Sequence, residues 1–208
     1  MDAEVINFAE RRRSRHHPIL DRVHAYWDGL RNGRDAPSRA EINPRGLPDV
    51  LRHCFILERI APGLGRFRVA GQHLCDIMGM ELVGLPISAV ILPESRDSFE
   101  ASMEQVFSDK CTARLTVVSP EGIGRNRIEG QILLLPLRDD LGHVTRILGC
   151  LAIDGDPGRP PRRLEITHTA IRDTARFRAP IFPPASDAPS AQHTGSRAQV
   201  IDLRVPTE

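Results

Sequence analysis

The apolar residues of this chain change their spacing in an order that leaves few folds open. From Pro18 to about Asn32, Leu20, Val23, Tyr26, Trp27 and Leu30 recur at helical intervals, so one face of a helix is apolar. Pro18 at its start and Gly33 just past its end are ordinary helix punctuation. Cys54 to Ile60 is then a β-branched and aromatic run. Pro62 to Gly65 supplies a turn, and Arg66 to Ala70 alternates with Phe67 and Val69 on one face, so two antiparallel strands are expected. The spacing turns helical again over Gln72 to Met80, but Gly84, Pro86 and Pro93 allow only short pieces before a longer helix at 94 to 108. Its stripe is Phe99, Met103, Val106 and Phe107. Three alternating runs close the pattern, Cys111 to Val118, Arg127 to Leu137 and Arg146 to Ile153, with Asp139 to Gly142 as a hairpin turn. The sum is an α+β domain: a five-stranded antiparallel sheet with short helices on one face and an N-terminal amphipathic helix.

The flanks read differently. Residues 1 to 17 show no sustained period and carry Arg11, Arg12, Arg13 and Arg15, the pattern of a flexible basic arm. Asp35 to His53 contains Pro37, Pro44 and Pro48 and reads as a connector of turns and short helical pieces. After Asp154 come eight of the 17 prolines, so residues 156 to 208 are expected to form a mostly flexible, proline-rich tail. Leu164 to Ile171 and Val200 to Val205 are the two pieces of it able to dock. The domain proper is then 18 to 155.

The block Tyr26-Trp27-Asp28-Gly29-Leu30-Arg31-Asn32-Gly33-Arg34, then Pro37, Arg39 and Pro44, and the run Val69-Ala70-Gly71-Gln72-His73-Leu74-Cys75 resemble a group of short stand-alone bacterial PAS domain proteins long filed as a domain of unknown function. Glu41 stands where that group has aspartate. The resemblance spans about residues 18 to 155 and implies the PAS fold, with a ligand cavity between sheet and helices and frequent self-association through the first helix. Phe55, Phe67, Val69, His73, Cys75, Leu115, Ile132 and Leu134 are the candidate cavity residues, with His73 and Cys75 at the mouth. The alternative is that the apolar members pack to native density and leave no cavity. Leu20, Val23, Tyr26, Trp27 and Leu30 are the candidate interface, with an intramolecular lid as the alternative.

Composition narrows the chemistry. Aromatic residues are 4% of the chain, which argues against a planar cofactor such as flavin or haem and leaves no cofactor expected. Cys54, Cys75, Cys111 and Cys150 are scattered in apolar settings, the pattern of small buried hydrophobes and not of a metal or disulfide framework. His16 and His17 sit among arginines that would repel a cation, so no metal is expected. Phosphate-loop, nucleophile-elbow, H-E-x-x-H and dinucleotide motifs are missing from the sequence, and no catalytic residue is assigned. His73, Cys75 and Asp76 lie together in sequence and would be the only start for an unfamiliar enzyme.

The chain therefore reads as a non-enzymatic cytoplasmic module, signal-responsive or protein-binding, that acts on a regulatory partner in trans. A homodimer and a small-molecule ligand remain open. No apolar run is long enough to span a membrane. The second reading is a nucleic-acid-associated regulator using the arginine-rich arm, against which a formal net charge of +1 weighs.

Overall fold

A computed structural model describes residues 17 to 122 and 124 to 174. The stretch 1 to 16, including the arginine cluster and His16, and the stretch 175 to 208, including Val200 to Val205, lie outside the described residues. Helix α1 is Pro18–Arg31. Three single-turn 3-10 helices, Arg39–Glu41, Pro44–Gly46 and Leu51–His53, then lead into strand β1, Cys54–Ala61. Strand β2 is Leu64–Ala70, helix α2 is Gln72–Met78, helix α3 is Arg96–Ser108, and strands β3, β4 and β5 are Thr112–Ser119, Ile128–Arg138 and Val144–Ile153. A further strand, β6, is Glu165–Arg172.

The sheet has six antiparallel strands in the order β2-β1-β5-β4-β3-β6. Five are those expected. The sixth corrects the strand count and the expected limit of the domain at residue 155: it is the Leu164 to Ile171 piece of the tail that could dock, paired to β3. What holds β6 is tertiary. Arg162 N–H donates to Ile77 O at 2.9 Å, Leu164 N–H to Val90 O at 2.9 Å, and Leu92 N–H returns to Leu164 O at 2.8 Å, which carries the chain past the helical layer to the β3 edge. Leu164 is buried there, whereas the residues of β6 itself are exposed or half-buried.

Pairing in register puts Phe55, Gly149, Leu134 and Ala113 in one row across β1, β5, β4 and β3. Cys54, Cys150, Leu133 and Arg114 form the adjacent row, which faces the other way. The first face carries α3: a Cβ on Gly65 would meet Met103 Cε at 2.8 Å and Leu57 Cβ at 3.4 Å. The second carries α1, whose Asp21 takes Arg114 Nη2–H at 2.6 Å. The domain is thus layered helix, sheet, helices, with a continuous apolar core.

Gly149 shows why one residue type is required. Its missing side chain is the space occupied by the Phe55 ring, and any Cβ there would overlap Phe55 carbons. None of the described helices is long and apolar enough to cross a membrane.

Candidate functional site

The family-like block after Val23 builds the end of α1 and the connector behind it. Asp28 accepts from Arg31 Nε–H at 2.5 Å, and Arg31 Nη1–H donates to Arg34 O at 2.8 Å. Arg34 returns Nε–H to Arg31 O at 2.9 Å and Nη2–H to Leu30 O at 2.8 Å, so the last carbonyls of the helix are satisfied by a side chain. Asn32 ends the helix in the left-handed region, φ 45°. Arg34 also reaches Glu41 at 2.7 Å, and Glu41 closes a capping box by accepting Ser38 N–H at 2.6 Å. The two hydrogen bonds and their proximity to Arg34 hold the Glu41 carboxyl below its usual range. Tyr26 clips the same segment twice: its hydroxyl accepts Asn43 N–H at 2.8 Å and donates to Asn43 O at 3.1 Å. These residues are positioning residues for the connector.

The connector so held forms one wall of a groove. Ile42, Pro44, Leu47, Pro48 and Leu51 are on that wall, Cys54, Ile56, Val69 and Leu148 come from strands of the α1 face, and Arg39, Arg52 and Gln72 are the main polar lining residues. Its volume is about 530 Å³, within the range that encloses small ligands. Leu51 and Val69 remain 42% and 46% exposed beside it. Gly71 closes one end, where its N–H donates to Cys54 O at 2.9 Å and a side chain would overlap the Arg52 carbonyl.

The groove redistributes the residues expected to share one cavity. Phe55, Phe67, Leu115, Ile132 and Leu134 are buried together on the α3 face, with the Phe55 and Phe67 rings edge to face at 5.5 Å. Val69 is not with them. A register shift lies between Ile56, paired with Val69, and Leu57, paired with Phe67. The extra residue, Arg68, breaks the alternation and turns Val69 to the opposite face. Sequence alternation alone put Phe67 and Val69 on one side because a bulge leaves no mark in it.

His73 stacks obliquely on His53, with ring centroids 4.2 Å apart. His53 Nδ1 lies 3.2 Å from Leu151 O, and His73 Nε2 is buried with no hydrogen-bond partner among the described residues. Burial, then the neighbouring His53 and Arg52, pull the His73 imidazole down to about 4, against a smaller opposing pull from Asp76. Burial also lowers His53. Cys75 is buried, with Sγ 4.0 Å from Glu81, while Asp76 accepts Gln72 Nε2–H at 2.8 Å and lies 3.5 Å from Arg52. The three neighbours in sequence thus point to three different partners. Cys54 and Cys150 face one another across β1 and β5, and Cys54 together with burial raises the Cys150 thiol far above its ordinary value. Burial lifts Cys111 to about 11. Such thiols stay protonated and inert at neutral pH. Among the described residues, no group of three His, Cys, Asp or Glu is placed to hold a metal ion.

The candidate interface residues divide as well. Leu20, Val23 and Trp27 are 0%, 0% and 1% exposed, seated on the chain's own sheet, and Trp27 Nε1–H donates to Pro136 O at 2.8 Å. For these three the lid arrangement replaces the expected interface, because the sheet's second face is itself apolar and needs a cover. Tyr26 and Leu30 are half-buried.

A family profile described as a PAS domain matches residues 15 to 152. A solved structure titled as that of an RNA-binding light-oxygen-voltage receptor is similar at 17% identity and a TM-score of 0.36, over 56% of this chain and 35% of that one. The chain thus spans about a third of that receptor's length. No curated protein matches. Strand β6 lies beyond the matched residues.

Proposed function

This chain belongs to the PAS domain family, and from that premise we propose that it is a non-catalytic, signal-responsive regulatory module that acts on a protein partner in trans. The observation that carries the reading is the groove of about 530 Å³ on the α1 face, apolar along its floor and wall and bordered by exposed Leu51 and Val69. On the α3 face the Phe55 ring occupies the space over Gly149 and meets Phe67, so that space is filled by the chain's own side chain. Binding at the groove bears directly on the connector, on the β1–β2 hairpin and, through Tyr26 and Asn43, on α1. These elements give a bound molecule a route to the outer surface of the domain.

The test is reconstitution. A partner identified by crosslinking in the source cells is purified and recombined with this chain, and the complex is compared between wild type and Val69→Glu. The reading expects a defined complex whose affinity shifts by at least about tenfold, or about 1.4 kcal/mol. A complex indifferent to the groove, or substrate turnover by the pure chain with no partner formed, overturns it.

A further inference from the structure

The charges around the groove are one-sided. Arg39 and Arg52 line it, and among the described residues no carboxylate does. Arg39 is half-buried, and its guanidinium makes no ion pair or hydrogen bond among the described residues. Arg52 has only Asp76, at 3.5 Å between side chains that are both largely exposed, the kind of surface pair that contributes little. Asp76 meanwhile has a shorter bond from Gln72. A guanidinium held against apolar surface without its anion is an unfilled half of a forked hydrogen-bonded pair.

The apolar part has its own chemistry. The strand side of the groove presents Cys54, Ile56, Val69 and Leu148, aliphatic side chains and a thiol, while the Phe55 ring lies on the other face of the sheet against Phe67. That surface suits a flexible or alicyclic hydrocarbon body better than a stacked planar one. The wall of prolines and Leu47 is held by the Tyr26 and Glu41 bonds, so the trough exists before anything enters it.

We propose that this groove is a binding site for a small amphipathic carboxylate, its hydrocarbon body against Leu51 and Val69, the exposed members of the apolar lining, and its head group on Arg39 and Arg52. The site is on the face of the sheet opposite the buried Phe55, Phe67 and Leu115 layer. It deepens the regulatory reading above and rests on it, because it names the class of signal that the groove takes.

The experiment is calorimetric titration of the full chain with decanoate and with its uncharged isostere decanamide, both below any micelle concentration. Decanoate is expected to saturate a single site and to bind at least about tenfold more tightly than decanamide. Arg39→Gln should bring the two within about threefold of each other. Val69→Glu places a carboxylate at an exposed position of the trough and should abolish decanoate binding while leaving the thermal midpoint unchanged. Equal binding of decanoate and decanamide, binding untouched by Val69→Glu, or no saturable binding overturns the proposal. Binding that appears only after residues 1 to 16 or 175 to 208 are removed, or only on dilution, assigns the groove to the chain's own segment or to a second copy and overturns it too. The reconstituted partner complex separates this proposal from the one beneath it. If decanoate binds yet leaves the complex unchanged, the ligand site stands and the regulatory reading falls. If the complex responds to Val69→Glu but decanoate does not bind, the reverse holds.

Discussion

Replacing Leu20 by alanine tests whether α1 is part of the folded unit or an appendage. Leu20 is fully buried between α1 and the sheet, one turn from Val23 and two from Trp27. Truncation of such a leucine costs about 2–5 kcal/mol, the transfer of the lost carbons plus the cavity they leave. Set against the roughly 5–15 kcal/mol that holds a domain together, this is a large fraction. At about 2–4 °C per kcal/mol for a domain of this size, the thermal midpoint should fall by roughly 4–20 °C. The chain supplies its own reporter. Trp27 is its single tryptophan, its ring is buried with Arg31 Cζ 5.5 Å from the centroid, and its indole N–H is bonded to β4. Tryptophan emission therefore reports undocking of α1, and far-UV dichroism reports the whole fold. The two denaturation curves should coincide in wild type and in Leu20→Ala, and neither should move with protein concentration. A loss smaller than about 0.5 kcal/mol, an emission change that precedes the dichroism, or a midpoint that rises with concentration would refute the argument that α1 is seated on its own sheet.

Gly149→Val forces a branched side chain into the space of the Phe55 ring, and urea denaturation should show a loss of at least about 1–3 kcal/mol. Asp35 is partly desolvated, which alone would raise it, but bonds from Arg138 and from Lys110 (3.0 Å) hold its carboxyl at about 2. Its folded value lies below the unfolded one, so its contribution is full above pH 3.8 and fades as pH falls toward 2. Asp35→Asn should therefore destabilise by about 1 kcal/mol at neutral pH after allowance for solvent screening, with the gap to wild type closing as acid is added. His73, held at about 4 by burial beside His53 and Arg52, is neutral in the fold and protonates more readily when unfolded. With Asp76 the opposing charge among the described residues and His17 acting on His53, stability should be full above pH 6.5 and drop by about 1–2 kcal/mol between pH 6.5 and 4. A His73→Gln variant whose stability kept the same slope in that window would show that another group carries it. Glu41→Ala opens the capping box and frees Arg34, so the chain should lose about 1 kcal/mol and bind decanoate less tightly because the wall of the groove loosens.

The same residues that made the family legible explain little of its chemistry. Trp27, Asp28, Arg31, Arg34 and Tyr26 are spent on ending α1 and on holding the connector. Glu41, the departure from the expected aspartate, has the reach to bond both Ser38 N–H and Arg34. Gly71 in the second run is required where two stretches of backbone touch. A signature of this kind marks how the α1 face is built, and the groove is a consequence of that construction.

Local pattern was sufficient for the elements and for most of the core. Helical spacing in Leu20, Val23 and Trp27, and alternation in β3 to β5, follow from 3.6- and two-residue periods that the chain carries whatever its surroundings. The Asp139 turn is local too, with its carboxylate accepting Leu141 N–H and His143 N–H at 2.9 Å. Three things were decided only by tertiary structure. Strand β6 has one half-buried isoleucine, Ile166, packed on the core and stands among prolines, so its place depends on Leu164 bonding Val90 and Leu92 from the far side of the helical layer. Val69 changed faces because a single extra residue on β2 reverses every side chain beyond it. The groove drew residues from the connector, β1 and β2 and, far along the chain, Leu148 of β5, which no period links. Periodicity reports which side of its own element a residue occupies, and a site made between elements is fixed by how those sides are brought together.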